Sequence, residues 1–380
     1  MGTLGAPISG TGVLLVGNGR QYLSPMSCPR HLGFLASVAL FAACGFDPAV
    51  GAGSMGLSAE SLELLEHAPD PEGAEDALQT ILESHFGSVL APRFPQHFQM
   101  GDAAGTLELK SAGRLYRSQC MHCHGVEGGG DGSSAYFLTP PPTDFRLGKF
   151  KWTALERDHP PRLEDIERTL EHGVPFTSMP SFLRLEETQR KGLAQIVRWL
   201  AARGQTERWL VAEWVQGGET ELAESVIDMA LSDVSKAWNE AAQHVLSPVS
   251  EPRPEEMVAE RIERGRQLYF SDATLCSSCH GPELEGDGPA VFQKVTDSDG
   301  NSHNERVRDE WGAPSQPRDL RQGGFRGGSE PLDLYRRIRA GISGTIMPAA
   351  HESMSEEAVW DLVYFVLSEA GLHGTGDDAR

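Results

Sequence analysis

Two pentapeptides combine residue types at a spacing that can do chemistry: Cys120-Met121-His122-Cys123-His124 and Cys276-Ser277-Ser278-Cys279-His280. Two thiols three residues apart at the start of a helix can reach the two vinyl groups of one haem and form thioethers. The histidine after the second thiol is then held on the proximal side of the iron. Each pentapeptide is followed by Gly, and each sits in a repeated context. Other chemistries share the spacing. A zinc site pairs two Cys-x-x-Cys groups about 15–20 residues apart, whereas more than 150 residues separate these. A thioredoxin-type pair wants a βαβ setting that is not found here. Structural disulfides are the remaining alternative.

The sixth ligand decides what such an iron can do. Met179 and Met347 each precede Pro, follow a Gly-containing loop, and lie 55 and 67 residues after His124 and His280. Proline stiffens an extended loop, which can hold a thioether over a haem face. A lone Met usually fills core; two Met-Pro pairs in equivalent positions of a repeat favour ligation. His172, His159, His303 and His351 compete, and His351 is close to Met347. His122 reads as a surface residue. Thioether ligation closes the last position on iron to peroxide and oxygen, and it raises the potential relative to two imidazoles. Electron transfer is therefore expected and no catalytic residue is assigned. The sequence offers no Gly-rich phosphate loop, nucleophile elbow or paired-carboxylate site.

The elements that must position these residues recur in order. A helical pattern over Leu107 to Tyr116 precedes the first motif, and Gly265-Arg266-Gln267-Leu268-Tyr269 precedes the second. Gly128-Gly129-Gly130-Asp131-Gly132 is echoed by Gly286-Asp287-Gly288, and Pro142-Thr143-Asp144-Phe145-Arg146 by Pro317-Arg318-Asp319-Leu320-Arg321. A helix around Leu163 to Glu171 follows the first of these stretches. The Met-Pro segments come next, and closing helices are expected over Glu186 to Ala202 and Ser355 to Ala370. Two copies this far apart mean tandem domains. Arg146 and Arg321 are candidates to pair with haem propionates through the bidentate guanidinium fork. Tyr116 and Tyr269 are read as packing the first helix on the last, and Trp199, Trp209 and Trp360 as core. Residues 204–258 carry eleven acids and three bases. Leu222, Val226, Met229, Val234, Trp238, Ala241 and Val245 give that segment one apolar helical face. It is either a solvated helix packed on one domain or a docking surface for a basic partner.

The chain has 380 residues, 33 basic and 54 acidic, for a net charge of −21. Such a polyanion repels nucleic acid and anionic membrane surfaces. Leu32 to Ala43 is an uncharged run after Arg30 and His31, read as a signal-peptide core too short to span a bilayer. It ends in Phe41-Ala42-Ala43-Cys44, which resembles a bacterial lipobox except for Phe where Leu is usual. Met26 is the expected start, and Cys44 the expected lipid anchor; an ordinary secretory signal would leave Cys44 a plain thiol. Residues 45–60 read as a tether.

Together these residues resemble class I cytochrome c, twice. Tyr-x-x-x-Cys-x-x-Cys-His-Gly, the Gly-Asp-Gly loop, the Met-Pro loop and the terminal helix carry the resemblance. The stretch from Tyr136 through Pro142 to Lys151 is similar to multihaem respiratory cytochromes of environmental bacteria. The resemblance implies an all-α fold of two tandem domains, 105–205 and 259–372, with first and last helices crossed and haem in a crevice. The segments around them are a signal peptide (1–44), a tether and N-terminal extension (45–104), an acidic helical linker (206–258) and a tail (373–380). It also implies two covalently bound haem c groups on Cys120, Cys123, Cys276 and Cys279, with His124/Met179 and His280/Met347 ligation. For the N-terminal extension and the acidic segment the family predicts nothing, and the insert Val295 to Trp311 leaves the loop geometry of the second domain open. The expected role is single-electron transfer in a bacterial respiratory chain, at the periplasmic face, with redox proteins or a respiratory complex as partners through a basic docking patch. A dihaem peroxidase-like enzyme and a haem subunit of a larger oxidoreductase are the alternatives.

Overall fold

The computed structural model describes residues 55–99, 107–218, 221–250 and 259–372. The signal-peptide core, Met26 and the Cys44 anchor lie outside the described residues, as does the 373–380 tail. The described chain is mostly helical, with two short antiparallel ribbons. No described helix is long and apolar enough to cross a membrane.

The first half is built on one long helix. Helices α1 (Ala59–Leu65) and α2 (Pro71–Phe86) lead into a two-residue ribbon, β1 (Gly87–Ser88) with β2 (Ala91–Pro92). Then come α3 (Leu109–Gln119), α4 (Met121–His124), α5 (Leu163–His172), α6 (Glu187–Gly217) and α7 (Glu224–Glu240). The expected closing helix, Glu186 to Ala202, runs on through Gly204 to Gly217 because no proline interrupts it and Leu210, Val211 and Trp214 carry its apolar face onward, all buried. Through residues 192–204 α6 is buried on every side. A helix surrounded like this needs partners all round. On one flank these are α3 and α5, on another α1 and α2, and α7 also packs on it.

The N-terminal extension and the acidic segment are therefore layers of the first core. Leu78, Leu82 and Phe86 of α2 are fully buried, and Ala230, Leu231, Val234 and Trp238 of α7 join the same cluster. Each large apolar side chain so buried contributes about 1.5–3 kcal/mol, so neither layer detaches cheaply. The 206–258 segment, expected as a linker, thus holds the end of α6 and a packed helix. Its solvated-helix reading agrees with these contacts. Arg198 ties the layers together. Its guanidinium lies 5.4 Å from the rings of Phe94 and Phe98 and 5.9 Å from Trp238, and it donates to the Gln99 carbonyl (3.1 Å) and Asn239 Oδ1 (3.2 Å).

A buried ion pair fastens the other end of the extension. Glu207 and Arg203, 1% and 2% exposed, meet at 3.1 Å. Glu207 Oε1 also accepts from the Ser58 amide and the Ser61 hydroxyl, both at 2.7 Å, while Arg203 donates to the Gly56 carbonyl at 2.9 Å. Removing one partner leaves a buried charge uncompensated, which costs about 3–5 kcal/mol. Glu207→Ala is expected to lower unfolding stability by that amount, read from denaturant midpoints of the haem-loaded protein. A loss under about 1 kcal/mol would mean that the pair is solvated.

The second half is simpler. Helices α8 (Ala259–Tyr269) and α9 (Cys276–His280) precede a ribbon of β3 (Phe292–Thr296) and β4 (Ser302–Arg306), with Phe292 opposite Arg306 and Thr296 opposite Ser302. Helices α10 (Pro331–Ala340) and α11 (Glu356–Glu369) complete it. Val359 to Leu367 of α11 are all buried, and α11 packs on α8 and α10. The first and last helices of each half pack together, α3 on α6 and α8 on α11. Counted back from the buried tyrosine, Ala112 and Gly265 are the equivalent contact residues. Gly113 instead packs on the Val89 carbonyl of the extension, where a Cβ would come within 1.9 Å. This ribbon and the two-residue β1–β2 pair are small additions to the expected all-α fold; Asp297 turns the longer one by accepting from the amides of Asp299 (3.0 Å) and Asn301 (2.8 Å).

Candidate haem sites

Each Cys-x-x-Cys-His turn is held by the same three devices. Tyr116 and Tyr269, nearly fully buried, donate from their hydroxyls to the carbonyls of Gly125 and Gly281, both at 2.7 Å. These carbonyls follow the histidines directly, so each tyrosine anchors a motif besides packing the helices. Gly130 and Gly286 then take φ of +71° and +79° and pass so close to the Pro142 and Pro317 carbonyls that a Cβ would lie 2.4 and 2.2 Å away. That approach brings the next residue's carbonyl to the histidine: His124 Nδ1 lies 3.2 Å from the Thr143 oxygen, and His280 Nδ1 3.0 Å from the Arg318 oxygen. A ring whose Nδ1–H is given to a carbonyl keeps Nε2 as its ligating atom.

Burial keeps both rings neutral. Desolvation lowers the His124 pKa to about 4, against a partial offset from the Thr143 carbonyl, and lowers that of His280 in the same way. A neutral imidazole is the form that binds iron. His124 also stacks on Phe145, with centroids 4.5 Å apart. No disulfide joins any of the four motif cysteines. Burial pushes the Cys120 thiol up to about 12 and raises Cys123 and Cys276. A thiol–disulfide catalyst needs the opposite shift, so these environments speak against the redox-pair alternative.

The Met-Pro segments are two copies of one hairpin. Gly173 and Gly341, at φ +68° and +69°, pass 2.8 and 2.6 Å (as a Cβ would) from the carbonyls of Met179 and Met347. The amides of Val174 and Ile342 donate to those same carbonyls at 3.1 and 3.2 Å. Thr177 and Thr345 accept from the methionine amides at 3.1 and 3.2 Å and donate to Val174 and Ile342, both at 2.8 Å. Met179 packs on the first core, which also holds Cys120 and Phe145. Two thiols, a neutral imidazole with Nδ1 occupied and a pinned methionine suit covalent haem in each half, and such a haem supplies one-electron transfer.

A family model described as cytochrome c oxidase, cbb3-type, subunit III matches residues 108–200 and again 260–366, just over half of the chain. The chain belongs to this cytochrome c family. Its two matched regions each contain one Cys-x-x-Cys-His turn and one Met-Pro hairpin, and cytochrome c domains carry covalently bound haem c. A chain from the reducing HAO-like protein complex of Kuenenia stuttgartiensis is similar in structure, with a TM-score of 0.50 and 26% identity, over 70% of this chain and 96% of that one. None of the curated proteins compared with the sequence matches it.

The competing histidines of these cytochrome c domains are engaged elsewhere. His172 Nδ1 lies 3.0 Å from the Arg168 carbonyl, His303 pairs with Glu305 at 2.9 Å, and exposed His351 contacts Ser353 at 2.7 Å. His159 stacks on His244. His122 is exposed, as expected. Arg146 and Arg321, candidates for propionates, turn their forks onto the aspartates two residues back, Asp144 (2.9 and 2.7 Å) and Asp319 (both 3.1 Å).

The contacts that sequence reasoning missed join the two domains. Arg157 of the first domain donates to the carbonyls of Met347 (2.7 Å), Thr345 (3.0 Å) and Ile342 (3.3 Å), so it grips the second hairpin from outside. In return, Phe176 of the first hairpin lies under the Arg318 guanidinium at 3.8 Å, and the Arg318 carbonyl is the one that holds His280. Trp311, from the long insert, packs on Gly344 of the second hairpin and reaches the Asp144 carbonyl at 3.4 Å. Lys151 pairs with Asp309 at 2.9 Å and sits 4.4 Å over the Trp311 ring. Arg168 forks onto Asp333. The interface thus includes both loops that carry the candidate methionines, together with an ion pair between α5 and α10. Only the threonines had a sequence signal, since each stands two residues before its Met.

Proposed function

We propose that this chain is a dihaem c-type cytochrome that relays single electrons in a bacterial respiratory chain. His124 and Met179 ligate one iron, and His280 and Met347 the other; the chain is exported to the periplasm and anchored by a lipid on Cys44. The observation that carries the reading is the interface itself: each Met-Pro hairpin touches the opposite domain. Two irons held in such loops are on one electron path. A reduced pyridine haemochrome spectrum with an intact mass tests it, and two covalent haems per chain are expected. The methionine–iron charge-transfer band in the near infrared should then account for both. One haem would overturn the relay, and a high-spin ferric centre that takes up peroxide would overturn it in favour of the dihaem peroxidase-like alternative.

The net charge of −21 supports a partner with a basic docking patch. Electrostatically steered association weakens as salt shortens the screening length from about 30 Å at 0.01 M to about 8 Å at 0.15 M. The second-order rate of reduction by a basic redox partner is expected to fall at least tenfold over that range. A rate indifferent to salt would exclude electrostatic docking.

A second reading has its own support. The similar chain belongs to a reducing HAO-like protein complex, and the match covers nearly all of that chain. On this reading the cytochrome is the electron-relay subunit of a larger redox assembly. Retention of a partner through purification from native membranes would favour it over a free carrier.

A further inference from the structure

One cluster belongs to neither candidate haem site. Glu156, His159 and His244 bring one ligand atom each to within 4.8 Å of one another, and among the described residues they are the one such group of three or more His, Cys, Asp or Glu. Glu156 Oε2 lies 3.9 Å from His159 Nε2 and 3.6 Å from His244 Nδ1. Ligands on a tetrahedral Zn2+ at bond lengths of about 2.0–2.1 Å stand about 3.3 Å apart. The carboxylate oxygen is therefore about 0.6 and 0.3 Å farther from the two nitrogens than tetrahedral ligands stand, a gap within reach of side-chain torsions.

The backbone that carries them is already set. His159 and Glu156 come from the loop after Trp152, and His244 ends the short 3₁₀ turn Ala241–His244 that follows α7. The two segments pair around an antiparallel bridge between Leu155 and Val245: the Glu156 amide donates to the His244 carbonyl and the Leu246 amide to the Ala154 carbonyl, both at 2.9 Å. The two imidazoles now stack with centroids 3.6 Å apart and planes 13° from parallel; nitrogen lone pairs lie in the ring planes, so holding one cation requires the rings to turn out of this stack about their side-chain torsions. The histidines are half-buried and Glu156 is exposed, so a cation has a way in. Arg157, between the ligands in sequence, points its guanidinium away to the Met347 hairpin.

We infer that Glu156, His159 and His244 form a binding site for a borderline divalent transition-metal cation of the Zn2+ class. Two imidazoles and one carboxylate are a donor set that suits Zn2+ or Cu2+ and disfavours Mg2+ and Ca2+, which take oxygen ligands. Three protein ligands leave one position to water. A cation there would clamp the end of the α7 segment to the loop that carries Arg157. The inference is independent of how either iron is ligated.

The test uses the full, haem-loaded protein stripped with chelator and titrated with Zn2+ against a chromophoric competitor. One equivalent is expected to bind, with affinity lowered more than tenfold in His159→Gln and in His244→Gln, and unchanged in His303→Gln and His351→Gln. No retained equivalent, or an equivalent indifferent to both ligand substitutions, would overturn the site. If either variant fails to accumulate with its haems, Zn-edge X-ray absorption of the wild-type protein decides. Two imidazole nitrogens in the first shell support the assignment, and a shell without them refutes it.

Discussion

The Cys276→Ser/Cys279→Ser protein is expected to carry half the haem of the parent chain. The pyridine haemochrome absorbance per chain should fall to one half, and the intact mass should drop by one haem. The reason lies in how the two domains are built. The second core, around Tyr269, Tyr335, Trp360 and Phe365, is separate from the first, around Tyr116, Trp199 and Phe86. The first therefore keeps its own packing, its own tyrosine anchor and its own imidazole–carbonyl pair when the second is emptied. Without the thioethers the second cofactor depends on His280 and non-covalent contact alone, and purification should strip it. The reciprocal substitutions at Cys120 and Cys123 should remove the other haem. That change is expected to cost more stability, because Cys120 is buried within the larger core that also holds the extension and α7. Full haem content in either double variant would refute the assignment of these thiols.

Met347→His should lower the potential of one centre by roughly 100–200 mV, a modest part of the ~0.8 V that axial ligands span. Imidazole in place of a neutral thioether favours ferric iron, so the sign is fixed by the chemistry. Potentiometric titration should resolve one shifted and one unshifted wave, and half of the near-infrared methionine band should vanish. Arg157 supplies the control that separates ligand from scaffold. It touches the Met347, Thr345 and Ile342 carbonyls and no candidate ligand atom. Arg157→Gln should retain the band while shifting the same wave by less than the 59 mV that marks a tenfold change for one electron. Two unshifted waves in Met347→His would exclude Met347 as a ligand. A shift of the other wave would mean that the domains exchange ligands.

The comparison of expectation with structure is most instructive at the tyrosines and the acidic segment. Tyr116 and Tyr269 were legible as helix-packing residues from their place before each motif. Their bonds to Gly125 and Gly281 were not, because a hydroxyl's partner depends on where the turn places a carbonyl. Trp238 and Val234 were legible as one apolar face. That this face closes on α6, and so makes the segment part of a domain, follows only from packing. The extension shows the same limit: Ala74 to Phe86 has helical spacing, yet nothing local says that α6 needs a cover on that flank.

By itself the sequence marked the candidate cofactor-binding atoms and determined how many times the unit occurs. Covalent attachment with proximal ligation uses two thiols and an imidazole within five residues, and the Met-Pro hairpin is equally short-range, so both leave a mark on adjacent letters. The tertiary structure alone decided how the two units face each other. Arg157 and Met347 are 190 residues apart, as are no two partners in a local motif, and Glu156 and His244, which meet directly, are 88 residues apart in the chain. Contacts of that range are selected by the burial of apolar faces and the pairing of charges in three dimensions, and neither imposes a spacing on the chain.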